Sequence, residues 1–324
     1  MTILPEVDMQ DNYHELSKIA GESLSMKKTL TLVDRAAKMH NVNVLISGEE
    51  GTGKSLIAKT IHFASARCSS PFVTISMSAF PNNLLESELF GYEKYAFEDA
   101  GIARTGKIAE AEKGTLFIEN IELMPAELQY SFFQFLSSGS FVRIGGLSRQ
   151  KVDVRVICSS TVDLAEEVRA KRFREDLYFR LMVMPINLPS LKERQKDIVF
   201  LADSFLDDFC KTNSLERMEL SAPAKRKLLS YSFPGNVREL KAVVELAAVL
   251  TNSRLIEDEH IFFNGQRIVS ELLSEELTLK QYNERIIRHY MEKYRNVVLV
   301  AEKLDIGKST IYNLLKKWKE DETP

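Results

Sequence analysis

The sequence has few cysteines, almost no net charge and no long apolar run. Its three cysteines, Cys68, Cys158 and Cys210, lie far apart without a paired spacing, which excludes a disulfide framework and a cysteine zinc site. No stretch approaches about eighteen uncharged apolar residues, and acids stand where a secretory leader would carry a basic and then an apolar region. We therefore expect a cytoplasmic protein without a membrane-spanning segment.

Glycine and proline are also sparse, with 14 and 9 residues among 324, while 44% of the residues are hydrophobic and 27% are charged. This composition excludes collagen-like, low-complexity and disordered chains. At roughly 150 residues per domain, the length predicts about two domains and a small third segment. The formal net charge of −3 argues, as an average, against a basic nucleic-acid binder.

Five short, β-branched, apolar runs alternate with helical segments, a pattern typical of a parallel sheet covered by helices on both faces. The runs are VNVLIS (42–47), PFVTISM (71–77), GTLFIEN (114–120), VDVRVICSS (152–160) and VMPINL (183–188). Residues 197–261 show no further strand pattern, so we expect a separate subdomain made of helices only. The sequence thus predicts an α/β fold followed by helical segments.

The first strand runs directly into a phosphate-binding loop with the spacing G-x-x-x-x-G-K-[ST], and a helical stretch follows it. Glycines allow backbone amides to turn toward phosphate oxygens, the lysine supplies charge at the β- and γ-phosphates, and the hydroxyl can ligate Mg²⁺. This pattern predicts binding of ATP with Mg²⁺. The predicted nucleotide-binding residues of the loop are Gly48, Glu49, Glu50, Gly51, Thr52, Gly53, Lys54 and Ser55.

A P-loop ATPase also needs an acid at the end of a second strand to hold the metal, followed by a carboxylate that activates water. Glu119 ends the third run and is predicted to share the metal with Ser55. The next residue, Asn120, cannot accept a proton, and loss of a positioned base costs about 10²- to 10⁴-fold in rate. ATP binding with weak or lost hydrolysis is therefore the prediction.

The C-terminal segment predicts two helices, 297–304 and 308–319, joined by a tight turn, which is helix-turn-helix spacing. Ala301 is small where the helices would cross, and Leu304, Ile306, Ile311 and Leu314 can fill the angle between them. Hydroxyl and amide side chains can bond to bases, and lysines can neutralise phosphates. The predicted DNA-binding residues are Lys308, Ser309, Thr310, Tyr312, Asn313 and Lys316.

Charge is distributed unevenly between this segment and the rest of the chain. Residues 277–319 carry ten Lys or Arg and four Asp or Glu, a net +6, which leaves −9 for the remainder. The near-neutral average therefore combines an acidic segment, predicted to bind nucleotide, with a small basic segment, predicted to bind DNA.

Several strings in order along the chain resemble one family, the AAA+ proteins of the bacterial enhancer-binding type, which activate RNA polymerase carrying sigma-54. They are GEEGTGKS, LLESELFGYEKYAFEDA, EKGTLFIENI, FREDLYFRL, LPSLKERQKDI and FPGNVREL. The resemblance covers roughly residues 19–261, and the C-terminal segment resembles the Fis-type domain of the same family. It implies an N-terminal tail (1–14), an AAA+ α/β nucleotide-binding domain (15–190), a helical lid (191–264), a linker (265–276) and an all-α helix-turn-helix DNA-binding domain (277–324). The layout, in which we expect no receiver or sensor domain ahead of the ATPase, resembles that of one type of member of this family.

The resemblance also implies roles for three arginines. Arg174 and Arg180 resemble the arginine fingers that a neighbouring subunit directs at the γ-phosphate, where a guanidinium offsets charge. Arg238 resembles the second sensor, through which the lid grips the nucleotide. Without the resemblance, these would be ordinary helix-surface charges. The family pattern implies self-assembly, from a dimer to a hexameric ring.

Three positions depart from the family pattern. The loop that reads G-A-F-T-G-A in the family and contacts sigma-54 reads YAFEDA here, at residues 95–100, so two turn glycines and the contacting threonine are absent. The second departure is the Glu119–Asn120 pair. The third is Thr161, which stands where the family's first sensor is asparagine. Together they predict weak or lost remodelling of sigma-54 polymerase.

The sequence therefore predicts a transcription regulator that binds promoter or enhancer DNA, in which nucleotide binding governs assembly and DNA occupancy. A working ATPase that remodels sigma-54 RNA polymerase through an atypical loop is the alternative. A P-loop ATPase of replication or protein remodelling is a third possibility, which leaves the C-terminal segment unexplained.

Overall fold

A computed structural model describes residues 23–98, 100–251 and 253–263, together with residues 287, 291, 297, 300, 301, 306, 307 and 311 of the C-terminal segment. The chain divides into two compact units, Met1–Ile261 and Phe262–Pro324.

The strands of the first unit include all five predicted runs, with ends that coincide with the predicted boundaries or lie up to three residues inside them. The strands are β1 (Val44–Ser47), β2 (Phe72–Ser76), β3 (Gly91–Tyr92), β4 (Arg104–Thr105), β5 (Thr115–Glu119), β6 (Ser140–Val142), β7 (Arg149–Lys151), β8 (Arg155–Ser160), β9 (Met184–Asn187), β10 (Glu219–Leu220) and β11 (Leu255–Ile256). Five of them form one parallel sheet in the order β2-β5-β8-β1-β9, which confirms the predicted α/β fold.

Helices connect these strands and cover the sheet. They are α1 (Leu24–Lys38), α2 (Lys54–Phe63), α3 (Asn82–Phe90), α4 (Lys107–Glu110), α5 (Ala126–Ser138), α6 (Leu164–Arg169), α7 (Glu175–Leu181), α8 (Gln195–Thr212), α9 (Ala222–Leu229) and α10 (Asn236–Leu250). Short 3₁₀ turns occupy Ile121–Leu123, Leu191–Arg194 and Asp258–His260. Of the helices in the described ranges, none combines the length and apolarity needed to cross a membrane.

Successive residues of the central strands enter cores on opposite faces of the sheet, as expected for strands covered on both sides. Leu45 packs among residues of α3, α5 and α7, while its neighbours Val44 and Ile46 pack against α1 and α2. In β5, Leu116 likewise packs in the same core as Leu45, and Phe117 packs in the core of Val44 and Ile46. The sheet is therefore held rigidly between two helical layers, and its carboxyl edge carries the loops described below.

The lid, formed by α8, α9 and α10, is not made of helices only, so that part of the sequence prediction was wrong. Glu219 and Leu220 pair in parallel with Leu255 and Ile256. Two-residue strands give no detectable alternation in a sequence, which is why the pattern missed this pair. The structure adds two further short pairs, β3 with β4 and β6 with β7, which are both antiparallel.

The second unit has a small apolar core of its own. Ile287, Val300, Ala301 and Ile311 are buried together, and Met291, Val297 and Ile306 pack against them. Residues 297, 300, 301 and 311 are helical, whereas 306 and 307 are not. The backbone amide of Ile306 donates to the carbonyl of Ala301 at 3.1 Å.

Candidate nucleotide-binding site

The loop between β1 and α2 has the backbone conformation that its glycines permit. Gly51 and Gly53 have φ angles of +76° and +102°, which side chains disfavour. A Cβ on Gly51 would lie 2.2 Å from the carbonyl oxygen of Gly235 in the lid, so this glycine is also required by close contact. The loop therefore turns tightly before α2 and touches the lid.

Lys54 opens α2 and points back into its own loop. Its Nζ donates to the carbonyls of Gly48 and Glu49 at 2.7 and 2.9 Å. Burial lowers the pKa of Lys54 below its ordinary value, and nearby carboxylates oppose this, that of Glu122 most strongly and then that of Glu50. A buried ammonium held at the start of a helix is the group that a phosphate chain requires.

Ser55 and Glu119 lie together at the carboxyl edge of the sheet. The Ser55 hydroxyl donates to Glu119 Oε1 at 2.5 Å, so the structure brings the two predicted metal ligands into contact. A hydroxyl and a carboxylate oxygen side by side are donors that Mg²⁺ accepts, and the ion would supply charge neutralisation for the β- and γ-phosphates. The donor set therefore fits the metal that the loop implies.

Asn120 follows Glu119 in the left-handed region, with φ of +56°. Its Nδ2 donates to the Ser78 hydroxyl at 3.4 Å. An amide in this place can orient water but cannot remove its proton.

Glu122, two residues further on, is a site residue that the sequence analysis missed. Its Oε1 accepts two hydrogen bonds from Thr161, from the backbone amide at 3.0 Å and from the hydroxyl at 2.5 Å. Thr161 directly follows β8, the neighbour of β5 in the sheet. An acid just after Glu119-Asn120 was the only available signal, and a sequence does not show that it meets a residue 39 positions away.

The lid is fastened to the phosphate-binding loop at the start of α10. Asn236, which is fully buried, donates from Nδ2 to Glu49 Oε2 at 3.0 Å and to the Glu50 carbonyl at 2.9 Å. Its Oδ1 accepts from the Leu191 amide at 2.8 Å. The carbonyl of Gly51 accepts from the backbone amides of Val237 and Arg238. We call these contacts the Asn236 latch.

Arg238, the predicted second sensor, forms an ion pair with Glu50 of the loop at 2.7 Å, with both side chains largely exposed. It also lines a cleft of about 460 Å³ between the loop and the lid. The cleft has an apolar part of the kind that takes a flat base. Its apolar lining residues are Leu56, Leu201, Phe205, Phe209 and Val237.

Arg174 and Arg180 are both exposed on or beside α7. Arg174 pairs with Asp176 at 2.7 Å and lies over the ring of Tyr130, 5.1 Å from its centre. Arg180 donates to the Leu136 carbonyl at 2.8 Å. Their contact with the nucleotide of a neighbouring subunit stays a prediction. Because both side chains are exposed, a neighbouring subunit could reach them.

The loop at residues 95–100 projects apolar side chains into solvent. Tyr95 and Phe97 are 77% and 43% exposed, and the Phe97 ring contacts that of Tyr92 at 4.9 Å. Tyr95 has a φ of +66°, in place of a glycine that would adopt it without strain. The loop is closed by a hydrogen bond from the Tyr95 amide to the Ala100 carbonyl at 2.7 Å. Asp99 lies outside the described residues.

The six predicted DNA-binding residues, Lys308, Ser309, Thr310, Tyr312, Asn313 and Lys316, all lie outside the described residues. Leu304 and Leu314 of the predicted core also lie outside them. Ala301, Ile306 and Ile311 are described, and all three belong to the apolar cluster of the second unit.

A parallel sheet in the order β2-β5-β8-β1-β9, a phosphate-binding loop after β1 and a helical lid define the AAA+ class of P-loop proteins. The pattern of the sigma-54 interaction domain matches residues 19–187, and that of the AAA+ ATPase lid domain matches residues 192–271. The chain belongs to the bacterial enhancer-binding proteins, the family of sigma-54 activators, as its motifs predicted.

Individual relatives agree with this assignment. A Nif-specific regulatory protein of Enterobacter agglomerans is 44% identical over 76% of this chain and 47% of its own length. Regulatory protein LuxO of Vibrio vulnificus is 35% identical over 93% of this chain and 69% of its own. The structure of NtrX from Brucella abortus is 30% identical with a TM-score of 0.70, covering 95% of this chain and 71% of that one. The chain spans about half the length of the Nif-specific regulatory proteins that it matches.

Proposed function

We propose that this chain is a cytoplasmic, sequence-specific DNA-binding transcription regulator whose AAA+ domain binds ATP with Mg²⁺ and hydrolyses it weakly. Nucleotide binding controls its self-assembly, from a dimer to a hexameric ring, and its occupancy of promoter or enhancer DNA. Remodelling of sigma-54 RNA polymerase is weak or lost.

One observation carries the nucleotide part of this proposal. Lys54 is buried within the loop and Ser55 contacts Glu119, an arrangement that supports binding of a nucleotide. The position that should activate water holds Asn120, an amide. Structures of NtrX from Brucella abortus in complex with ATP and with ADP support the same use of this fold.

The test measures ATP affinity and turnover of the purified protein in Mg²⁺. We expect Lys54→Ala to abolish ATP binding, whereas Lys59→Ala, an exposed lysine of the same helix, should leave it unchanged. We expect Asn120→Glu to raise turnover by about 10²-fold or more, because it restores a carboxylate next to Glu119. Wild-type turnover equal to that of a relative with an intact acid pair would refute weak hydrolysis.

The DNA-binding part rests on the second unit. Its helical residues and the break at Ile306 and Gly307 support the helix-turn-helix prediction, and the net charge of +6 over residues 277–319 suits a phosphate backbone. Footprinting on DNA upstream of the coding region tests it. Asn313→Ala should relax sequence preference, and Lys316→Ala should weaken binding uniformly and reduce the salt slope by about one. Lys196→Ala, at an exposed lysine near the start of α8 in the lid, is the control.

A second candidate function is a working activator that remodels sigma-54 polymerase through the loop at residues 95–100. The exposed Tyr95 and Phe97 favour it, since they offer an apolar contact where the family has its contact loop. Transcription from a target promoter in cells that lack sigma-54 separates the two. If transcription from that promoter persists without sigma-54, this candidate is rejected. If transcription is lost, the proposal that remodelling of sigma-54 polymerase is weak or lost is rejected.

A further inference from the structure

Glu122 is held in one fixed orientation by Thr161, which directly follows β8. It lies in the 3₁₀ turn after β5, and both hydrogen bonds from Thr161 reach the same oxygen, Oε1. Two donors on one carboxylate oxygen leave one orientation of the group. The second oxygen, Oε2, therefore points in a defined direction.

Glu122 Oε2 is buried and has no hydrogen-bond partner among the described residues. Leaving a buried acceptor unpaired costs about 1–3 kcal/mol, and more when it is charged. Such groups in folded proteins have a reason, typically an ordered water or a chemical role. Thr161 takes up one oxygen only, so the arrangement keeps the other ready to accept a proton or a water.

The position of the pair connects it with the phosphate site. Thr161 lines a cleft of about 550 Å³ together with Gly48 and Glu49, the two residues whose carbonyls hold Lys54. Of the charges that act on Lys54, that of Glu122 is the strongest. Glu122 therefore lies within the electrostatic reach of the lysine that would hold the β- and γ-phosphates.

Other acidic residues near the loop are engaged elsewhere. Glu119 accepts from Ser55, and Glu50 pairs with Arg238. Glu49 accepts from Asn236 in the lid. Glu122 is the one with a buried oxygen left without a partner in the described part of the chain.

We propose that Glu122, positioned by Thr161, is the general base for the weak ATP hydrolysis of this protein and replaces the carboxylate that Asn120 lacks. The inference rests on the proposed ATP binding. In the step, the oxygen of a water molecule bonds to the γ-phosphorus while the bond from that phosphorus to the β,γ-bridging oxygen breaks. ADP leaves with the electron pair of that bond, and the proton of the water passes to Glu122 Oε2 and then to solvent.

This assignment accounts for an otherwise costly arrangement. Thr161 stands where the family pattern has an amide, and its hydroxyl reaches the carboxylate of Glu122 directly. The departures at Asn120 and Thr161 are then connected, because a carboxylate supplied by the 3₁₀ turn needs a short hydroxyl to hold it. Glu122 is the catalytic residue in this scheme, and Thr161 is a positioning residue.

The test compares Glu122→Gln with Glu127→Gln, an exposed acid at the start of α5. Three quantities are measured in Mg²⁺: single-turnover hydrolysis, affinity for a fluorescent ATP analogue, and melting temperature. We expect Glu122→Gln to slow hydrolysis by about 10²-fold or more, with affinity unchanged within about threefold, because a base contributes about 10²- to 10⁴-fold. Glu127→Gln should match the wild type in all three.

A pH profile separates a chemical role from a structural one. The wild-type rate should fall on the acid side as a carboxylate protonates, and this limb should be absent from the residual rate of Glu122→Gln. Thr161→Val should slow hydrolysis by about tenfold and keep the acid limb, since the base remains but is less well oriented. If Glu122→Gln does not fold, Glu122→Asp replaces it, with an expected loss of about tenfold at unchanged affinity.

The outcomes distinguish this inference from the proposed function. Hydrolysis by Glu122→Gln at the wild-type rate, or a wild type that binds ATP without any turnover, overturns the role of Glu122 and leaves ATP binding intact. Absence of ATP binding in the wild type overturns both. Reduced hydrolysis with reduced affinity in equal measure shows a binding role and also overturns the inference.

Discussion

We expect the Asn236 latch to contribute several kcal/mol to the free energy of unfolding, because it attaches the lid to the nucleotide-binding domain. Asn236→Ala removes three hydrogen bonds to other segments of the chain, one to the Glu49 carboxylate, one to the Glu50 carbonyl and one from the Leu191 amide. Two neutral bonds contribute about 1 kcal/mol each, and a bond to a charged group about 1.5–3 kcal/mol. Asn236 also has a φ of +52°, which alanine adopts at a cost of about 1 kcal/mol. The expected loss in the free energy of unfolding is therefore about 5 kcal/mol.

Asn236→Gly divides this loss into its parts, because glycine adopts a positive φ freely but supplies no amide group. It should recover about 1 kcal/mol relative to Asn236→Ala. Urea titrations followed by circular dichroism and by tyrosine fluorescence measure both variants, and separate transitions in the two signals would report unfolding of the lid alone. A loss below about 1 kcal/mol for Asn236→Ala would refute the latch as a structural connection.

Three further predictions concern buried polar groups. Burial lowers the pKa of His62 to about 4, so on acidification the unfolded chain binds a proton at this histidine at a higher pH than the folded chain does. The free energy of unfolding should therefore fall by up to about 3 kcal/mol from pH 6.5 to 4. His62→Gln should lack this slope, and an equal slope would contradict the argument. Arg155→Met should raise the free energy of unfolding by about 1–3 kcal/mol, because Nε and Nη1 are buried and have no hydrogen-bond partner among the described residues. A melting temperature below that of the wild type would disprove this. Asp197→Ala should lower the free energy of unfolding by about 3–5 kcal/mol, because Asp197 pairs with buried Arg194 and accepts hydrogen bonds from Ser23. Unfolding by denaturant that is unchanged from the wild type would exclude a stabilising role of Asp197.

The features that the sequence predicted correctly are those encoded by adjacent residues. Each strand of the main sheet is a short apolar run between turns, and burial on both faces makes such runs recognisable. The phosphate-binding loop is eight consecutive residues, and its conformation follows from Gly51 and Gly53. Even the contact of Ser55 with Glu119 was predictable, because the ends of parallel strands meet at one edge of the sheet.

The features that were missed depend on distant residues or on very short elements. Glu122 gains its significance from Thr161, 39 positions away, and the latch joins Asn236 to Glu49 across 187 positions. Arg238 pairs with Glu50 of the loop, a contact across 188 positions that the sequence did not show, and its role at the nucleotide stays a prediction. The paired strands β10 and β11 have two residues each, too few for a periodic pattern.

The start of α2 has one further consequence. Ser23, Asp163 and Ser221 each accept a backbone amide at the start of α1, α6 and α9, but Gly53 gives α2 no side-chain cap. At the N-terminus of α10, the backbone amides of Val237 and Arg238 donate to the carbonyl of Gly51 in the phosphate-binding loop. The first amides of α2 thus remain without an acceptor from a capping side chain, at the positive end of a helix dipole. A phosphate group would complete this helix as Ser23, Asp163 and Ser221 complete α1, α6 and α9, so part of its binding energy would appear as stability of the fold.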